Sequence, residues 1–576
     1  MSERLAHRDS QKLNEARQLH IDGDLQNARR LYDRLLRKYP RSPSICSLLG
    51  ALLVDQGQSA KALPVLRTAL SKDQNNADIH YNLGLAHAES GDHAAALPCY
   101  RQAVALHPSH SKAHYNLGLS LRRLDAHEEA IHALQNDYQL APSFDTCRLL
   151  TKSFLQLEQY ANAVHYARHC VELEGAEARD LDNLVLALCR MYTGAALLTD
   201  PEVEELTTLA EHAVRLNPQS PTAKMQLGLA YSMLGNFSAA EEPLRQAMQL
   251  NPEDEALQTL LSLSLLTQGK LAEGWHARTL LERMRKPVSD SGVPRWQGEL
   301  RQGLKLWLQR EQGIGDQLLY AGMLPDLIHA GVAVTLVCEA REQPILAASF
   351  PAVNFVTELD SAEQREYDAF ATMGELHLHL RRQLTDIPAP QPYLAVDTSL
   401  RDQLRQRYAQ LYPHAEPVAL AWRSHSEING AGKSLNLDQL LPVLKLENKV
   451  FVCAQYGPGA EDLKQHALAH DYLVHFDEDL NITGDLTAAT AQLAACSRCV
   501  LASNASAHLA GGAGLETHVL VGLRPVWHWF EATTLPGQHT HTPWYANVTL
   551  HRQTTLADWQ QPVADIAAAL GHTQHG

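Results

Sequence analysis

Two glycine-bearing turns in the second half of the chain carry residue types suited to binding an anionic ligand. The first is Gly313-Ile314-Gly315-Asp316, and the second is the run SNASAHLAG at 503–511. Each follows an apolar segment and opens a helical pattern, so backbone amides and the positive end of a helix dipole are available there. The second turn also brings Ser506 and His508, whose side chains can donate hydrogen bonds. These turns therefore predict a site for a diphosphate.

The elements that must position these turns are short apolar strands that alternate with helical segments. Such alternation indicates parallel sheets with crossover helices, whose ligands bind at the carboxyl ends of the strands. We predict two Rossmann-like lobes that face a cleft, with the polar stretch 397–416 as the hinge between them. The predicted strands are 304–310, 332–338, 353–356, 417–422, 449–454, 498–503 and 517–521, and a helix is predicted at 556–570.

The first half repeats itself every 34 residues. The four series are Ala16, Gly50, Gly84, Gly118; Gly23, Gly57, Gly91, Asp125; Ala28, Ala62, Ala96, Ala130; and Pro40, Gln74, Pro108, Pro142. Small residues in the first and third series let two antiparallel helices pack closely, the second series turns between them, and proline ends the second helix. The pattern resembles the tetratricopeptide repeat and predicts about seven or eight helical pairs over residues 9–286, stacked as a superhelix.

Polar side chains recur at one place in these repeats, two positions before the small residue. Asn82, Asn116 and Gln226 occupy it, and on the inner helix their amides could hold an extended peptide of a protein acceptor. The alternative is that Asn82 and Asn116 cap or bridge neighbouring helices. The apolar inner surface also offers a route to self-association.

Composition limits the class of protein. The 576 residues predict about three to five domains, and the net charge of −16, without a Lys/Arg-rich run, argues against nucleic-acid binding. No apolar stretch approaches the roughly 20 residues of a membrane span. Nine cysteines, an odd number, are typical of reduced thiols. We therefore expect a cytoplasmic protein.

Several segments together resemble one family. GIGDQLLYAGMLPDL, AWRS, CAQYG, NASAHLAGGAG and PWYANVTLHRQ are similar to bacterial proteins that join tetratricopeptide repeats to a glycosyltransferase domain of the GT-B fold, and partly to heptosyltransferases. The likeness to O-GlcNAc transferases is looser and architectural. The resemblance implies a repeat superhelix over 1–286, an N-terminal GT-B lobe over 287–400, and a nucleotide-sugar-binding lobe over 401–576.

The activity that this resemblance implies is protein O-glycosylation. A sugar would pass from a nucleotide donor, a CMP-linked nonulosonic acid or a UDP-hexosamine, to Ser or Thr of a protein held by the repeats. Flagellin is the best guess for that acceptor, and no cofactor or metal is expected. Two alternatives stay open: a non-catalytic repeat scaffold or flagellin chaperone with a degenerate transferase domain, and a lipopolysaccharide or polysaccharide glycosyltransferase.

Roles for individual residues also follow from the resemblance. It implies Asp316 as general base toward the acceptor hydroxyl, with Gly315 beside it on the acceptor side; the donor would contact Arg423, Lys433, Gln455, Tyr456, Asn504, Ser506, His508 and Gly511. Asn504-Ala505 replaces the Asp-Thr pair of heptosyltransferases, which argues against a heptose donor. Alternatively, Asp316 caps a helix, His508 is an ordinary helix residue, and Arg423 and Lys433 are solvated charges.

Two other motifs are excluded or given a structural interpretation. The run 430–434, GAGKS, resembles the end of a P-loop but has Glu427 where the motif needs glycine, so an ATPase is rejected. Cys496 and Cys499 form a single CxxC without a second pair, which favours buried thiols over zinc. The aromatic residues at 527, 529, 544 and 545 are expected in the core, or stacked on a sugar or base.

Overall fold

The computed structural model describes residues 6–173, 177–194, 200–285, 292–311, 313–424, 430–457, 459–531, 534, 540–555 and 558–571. The chain divides into two compact units, 1–191 and 192–576. This boundary falls within the repeats, so the last repeats belong to the same unit as the α/β part. The domain limits at 286/287 and 400/401 stay predictions.

The described part of the first half is all-helical and contains sixteen helices, which matches the predicted seven or eight pairs. The helices are α1 (His7–Ile21), α2 (Leu25–Lys38), α3 (Pro43–Asp55), α4 (Ser59–Leu70), α5 (Ala77–Glu89), α6 (His93–Leu106), α7 (Ser111–Arg123), α8 (His127–Leu140), α9 (Phe144–Gln156), α10 (Tyr160–Glu172), α11 (Ala178–Gly194), α12 (Asp200–Leu216), α13 (Pro221–Met233), α14 (Phe237–Leu250), α15 (Glu255–Thr267) and α16 (Leu271–Arg285).

The periodic small residues have the predicted packing role. A methyl group added at Gly84 would lie 2.7 Å from the ring of Tyr100, and one added at Gly118 would lie 2.5 Å from Leu134. Each glycine thus meets a side chain 16 residues later, on the second helix of its pair. No larger residue fits at Gly84 or Gly118 at that distance. The 34-residue spacing therefore marks the points where the two helices of each pair cross.

The turn positions explain the one exception in their series. Gly57 and Gly91 adopt φ of 70° and 82°, and Asp125 adopts φ of 58° at the equivalent place. This left-handed region costs glycine nothing and is tolerated by aspartate better than by most residues. Aspartate at position 125 therefore preserves the turn that glycine makes in the other repeats.

The α/β part begins with a four-stranded parallel sheet in the order β3-β2-β1-β4. Its strands are β1 (Lys305–Gln309), β2 (Ala333–Val337), β3 (Asn354–Val356) and β4 (Ala369–Thr372). The helices of this region are α17 (Ile314–Ala321), α18 (Leu324–His329), α19 (Gln343–Ser349), α20 (Ser361–Gln364) and α21 (Leu376–Leu380).

A seven-stranded sheet follows in the order β10-β11-β9-β8-β5-β6-β7. Six strands are parallel, and β10 joins β11 as an antiparallel edge. Numbered by themselves, the parallel strands run 3-2-1-4-5-6, the Rossmann order. The strands are β5 (Glu416–Ala421), β6 (Lys449–Cys453), β7 (Val474–His475), β8 (Arg498–Ala502), β9 (Thr517–Val521), β10 (His541–Thr542) and β11 (Tyr545–Arg552), with helices α22 (Thr398–Leu411), α23 (Leu441–Leu444), α24 (Ala460–His470), α25 (Leu486–Ala495), α26 (Ala505–Gly512) and α27 (Gln560–Gly571).

All seven predicted strands are present, but the expected hinge is a helix. Asp397 caps α22 by accepting a hydrogen bond from the backbone of Leu400, and Leu404 and Tyr408 bury one face of that helix. Residues spaced four apart share a helix face, so two apolar side chains are enough to dock an otherwise polar segment. Among the described residues, every helix falls short of the length and apolar character that crossing a bilayer requires.

An aromatic junction of Trp275, Tyr320, His377 and Trp527 joins the last repeat to both sheets. Trp275 lies on α16 and is 1% exposed; its ring stacks on His377 at 4.5 Å and meets Trp527 edge-on at 5.2 Å. Tyr320, on α17, approaches the same indole at 5.8 Å. Such rings bury large apolar areas and prefer these geometries, so the junction fixes the last repeat against the α/β part.

Replacing Trp275 with alanine is therefore expected to lower the free energy of unfolding of the 192–576 unit by about 3–5 kcal/mol. All eight tryptophans lie at position 275 or later, so the remaining seven report on this unit alone in a urea titration followed by fluorescence. His276→Ala, at the exposed neighbouring position, is the matched control. Equal midpoints for the two variants would contradict the junction.

Candidate functional site

A cavity of about 420 Å³ lies where the carboxyl ends of the two sheets face each other. Its size suits a small-molecule ligand. Most of the residues predicted to lie in the cleft line this cavity. Those that line it are Gly315, Asp316, Lys433, Tyr456, Asn504, Ser506 and His508, together with Ser503 of the predicted turn and with Arg341, Ser424 and His528, which the sequence analysis did not identify as site residues.

The first turns of α17 and α26, one from each sheet, meet at this cavity. A methyl group added at Gly315 would lie 2.9 Å from Cδ2 of His508, so the helices approach too closely for a larger residue. Both helices present their N-terminal turns to the cavity through Gly313 and Asn504, which line it. Unpaired amides and helix dipoles there favour an anion.

Asp316 supplies the carboxylate of the cavity. Its side chain is 36% exposed, and Oδ1 lies 3.9 Å from Nδ1 of His528. Among the described residues, no side chain makes a capping bond at the start of α17, so the capping alternative has no contact to support it. Burial raises the pKa of Asp316, while Arg278 and then Lys433 oppose that shift. A carboxylate with a raised pKa is a stronger base than an exposed aspartate.

His508 is held in one orientation. It is 3% exposed, its Nδ1 lies 2.8 Å from the hydroxyl of Tyr545, and its ring stacks on Trp529 at 5.3 Å. Burial, with a smaller contribution from Lys433, lowers the pKa of His508 to about 3. The imidazole is therefore neutral at physiological pH, and its other edge lies against Gly315.

His528 is one of the lining residues that the sequence analysis missed. It is 5% exposed, lines the cavity, and has no hydrogen bond at either ring nitrogen within the described residues. Burial and the neighbouring His508 hold the pKa of His528 well below its ordinary value. A buried polar group without a partner is costly, which points to a ligand as its partner. Its position after β9, among the aromatic residues singled out above, was the available signal.

Lys433 and Asn504 both line the cavity but differ in whether their side chains have hydrogen-bond partners. The backbone nitrogen of Lys433 donates to the carbonyl of Gly430, but its ammonium group makes no hydrogen bond or ion pair within the described residues, and burial lowers its pKa. Asn504 is fully engaged: Oδ1 accepts from the backbone of Ser506 at 3.0 Å, and Nδ2 donates to the carbonyl of Arg423 at 3.2 Å. An ionised aspartate could not make the second bond, so the asparagine locks two loops of the cleft together. Lys433 is left as a cation that can meet a ligand.

Arg423, Gln455 and Gly511 do not line the cavity. Arg423 pairs with Asp462 through Nη1 at 3.0 Å, and Gln455 Oε1 accepts from the backbone nitrogen of Arg423 at 2.8 Å. A methyl group at Gly511 would lie 2.6 Å from the ring of Tyr545. The structure thus uses these residues to brace the strand ends and the helix behind His508.

The repeat amides have partners or are buried. Asn82 Nδ2 donates to Ser47 Oγ at 3.1 Å, and Asn116 Nδ2 donates to the hydroxyl of Tyr81 at 3.2 Å. Gln226 is 1% exposed, with neither amide atom bonded within the described residues. Bridging of neighbouring helices accounts for the two asparagines, and the acceptor-binding role of the three residues stays a prediction.

His528→Phe is expected to separate ligand binding from stability. The phenyl ring keeps the shape and edge-on contacts but removes two unsatisfied nitrogens, so the melting temperature should be unchanged or higher. Affinity for the cleft ligand should fall about tenfold, the equivalent of one hydrogen bond. Calorimetric titration and thermal melts measure the two quantities. Lower stability with unchanged affinity would assign His528 to the core instead.

Acid should destabilise the 192–576 unit through His508. The unfolded chain protonates near pH 6.5, whereas the folded unit keeps His508 neutral to about pH 3. The free energy of unfolding should therefore fall with pH in this window, by about 1.4 kcal/mol per pH unit for this one histidine. Urea titrations of His508→Gln by tryptophan fluorescence at pH 7 and pH 4.5 should show a smaller loss than the natural chain shows. The exposed His414→Gln is the control, and an identical loss in both variants would contradict the assignment.

Comparisons with known proteins identify the repeats. Models of the tetratricopeptide repeat match residues 12–42, 50–91, 81–143 and 222–251. Protein FlbA of Caulobacter vibrioides is 27% identical over 389 residues, which are 62% of this chain. This chain spans 63% of the length of that protein.

Solved structures are similar to part of this chain. YrrB, described as a tetratricopeptide-repeat protein with an unusual peptide-binding site, is 19% identical and covers 33% of this chain and 95% of its own, with a TM-score of 0.30. PilF of Pseudomonas aeruginosa is 17% identical, covers 38% and 95%, and has a TM-score of 0.33. The all-helical first half of this chain contains tetratricopeptide repeats.

Proposed function

We propose that this chain is a protein O-glycosyltransferase of the GT-B type that works in the cytoplasm. The two sheets would act as its lobes, and the cavity between their carboxyl ends would bind a nucleotide sugar. One observation carries the proposal: the Asp316 carboxylate, the Lys433 ammonium, which has no ion-pair partner among the described residues, and the N-terminus of α26 meet in that cavity. Group transfer from an anionic donor can use a base for the acceptor hydroxyl and positive groups for the leaving phosphate, and these three elements supply both.

The proposed reaction is a displacement at the anomeric carbon. The hydroxyl oxygen of the acceptor Ser or Thr forms the new bond to that carbon, and Asp316 accepts its proton. The bond from the sugar to the donor phosphate breaks, and its electron pair leaves with the nucleotide. Lys433 and the amides at the start of α26 would stabilise that departing charge without a metal.

The raised pKa of Asp316 supports its role as the base. Burial disfavours the ionised carboxylate, so proton uptake from the hydroxyl relieves a cost that the folded protein already bears. Lys433 lies close enough to Asp316 to oppose the rise in its pKa. Its charge would therefore act both on the base and on the donor phosphate. Neutral His508 and His528 add hydrogen-bonding groups without adding repulsion toward a cationic transition state.

The repeats would recruit the protein acceptor. Tetratricopeptide repeats typically bind proteins, and here the last repeat is fixed to the cleft by the aromatic junction. Flagellin is the proposed acceptor on the family resemblance. The donor would be a CMP-linked nonulosonic acid or a UDP-hexosamine, since either offers the phosphate that the cleft favours.

Asp316→Asn is expected to lower sugar transfer by at least about 100-fold, the usual contribution of a general base. Donor affinity should change little, because the amide has nearly the same shape. The measurements are calorimetric titration with CMP-, UDP-, GDP- and ADP-linked sugars and mass spectrometry of the acceptor. Asp402→Asn, in an exposed pair with Arg401 on α22, is the control.

The results also decide between functions. Unchanged transfer by Asp316→Asn would remove the assigned base but not the activity. Absence of binding by every nucleotide sugar would favour the repeat scaffold or flagellin chaperone. Weaker donor binding in Lys433→Ala, with the fold intact, is expected only if the cavity binds the donor phosphate.

A further inference from the structure

We propose that Asp438, His466 and His470 form a binding site for a zinc-type divalent cation. Asp438 opens a 3-10 turn (Asp438–Leu440), and the two histidines lie on α24. The site is separate from the cavity residues and does not depend on the proposed glycosyltransferase activity.

The three ligand atoms already converge. Asp438 Oδ1 lies 3.1 Å from Nε2 of His466 and 3.8 Å from Nε2 of His470. All three atoms lie within 4.8 Å of one another. Zinc bonds to imidazole nitrogen and carboxylate oxygen are about 2.0–2.2 Å long, so ligand atoms around one ion are separated by about 3–4 Å. One cation can therefore contact all three with small side-chain movements.

The local structure explains why the histidines share one direction. Residues four apart lie on the same face of a helix, and the two rings are 4.3 Å apart between centroids. Nδ1 of His466 lies 2.9 Å from the hydroxyl of Tyr472, which leaves Nε2 directed at the carboxylate. A hydrogen bond on the far nitrogen is the usual partner of a zinc-bound histidine. Three protein ligands with open positions are typical of zinc sites that also bind water.

A second pair of histidines in the chain serves as a comparison for the proposed site. His165 and His169 on α10 are also four apart, with ring centroids at 4.4 Å. Within the described residues, only the group at Asp438 combines three His, Cys, Asp or Glu ligand atoms in this way. The carboxylate is what distinguishes the proposed site from a simple histidine pair.

A cation here would join two segments that lead from the cavity. Asp438 lies five residues after Lys433, and α24 begins four residues after Tyr456; both of those residues line the cavity. The ion would tie these segments together at their far ends and would restrict their relative movement. The expected role is therefore structural support of one wall of the cavity.

The test is Zn²⁺ titration of the full chain with a competing chelator, so that weak histidine pairs stay empty. The natural chain should bind one tight equivalent, and Asp438→Asn and His470→Asn should each lose it. The loss in affinity should exceed the roughly 10–100-fold that removal of an outer-shell partner costs. Tyr472→Phe should lie within that range, and His165→Asn should leave the tight equivalent unchanged.

Cobalt provides a second measurement. Its absorption band would not depend on Asp438 and the histidines if these residues only stabilised the fold. Co²⁺ at the site should give a visible absorption band that Asp438→Asn abolishes and His165→Asn preserves. Tryptophan-monitored melts confirm that the exposed substitutions leave the fold intact. Unchanged tight Zn²⁺ binding in both Asp438→Asn and His470→Asn would overturn the site, and so would the absence of a tight equivalent in the natural chain. Either result would leave Asp438 and the histidines as an ion pair only.

Discussion

The contact between Gly315 and His508 is the constraint on which the cavity depends. Because Gly315 has no side chain, α17 can approach α26 until its backbone rests on the imidazole. That approach brings together the carboxyl ends of two separate sheets and their two helix N-termini. Asp316 then faces residues of the other sheet although it is adjacent in sequence to the glycine. The chemistry of the site is thus a consequence of how closely two helices pack.

Burial, nearly complete for the two histidines and partial for Asp316, shifts the pKa values of the groups around that contact. Burial raises the pKa of Asp316 and lowers those of His508 and His528, so each group is driven toward its neutral form. Lys433 reinforces the effect on the histidines and opposes it on the carboxylate. The cavity therefore combines the charged side chains of Asp316, Lys433 and Arg341 with two neutral histidines. Such an environment strengthens the interaction of each remaining charge with a ligand.

Much of this architecture could be predicted because its causes are local. The repeats follow from steric limits at Gly84 and Gly118, and the buried strands are continuous apolar runs. β11 was missed because residues 545–552 alternate polar and apolar types beside an apolar neighbour strand. His528 was missed because its function depends on burial by residues distant in sequence. The segment 397–416, expected as a hinge, contains α22 because Leu404 and Tyr408, two residues among many polar ones, are sufficient to dock that helix; its role as a hinge stays a prediction.

The aromatic junction has a consequence for how such proteins diversify. Repeat arrays are commonly thought of as interchangeable modules, since each repeat contacts its neighbours alone. Here the buried indole of Trp275, on the last repeat helix α16, packs against aromatic side chains from the regions of both sheets. Recombination at the end of α16 would therefore expose aromatic surface on each fragment. Exchange of repeats would be tolerated only at joints nearer the amino terminus. The last repeat and the α/β part thus form one packing unit, whichever repeats precede them.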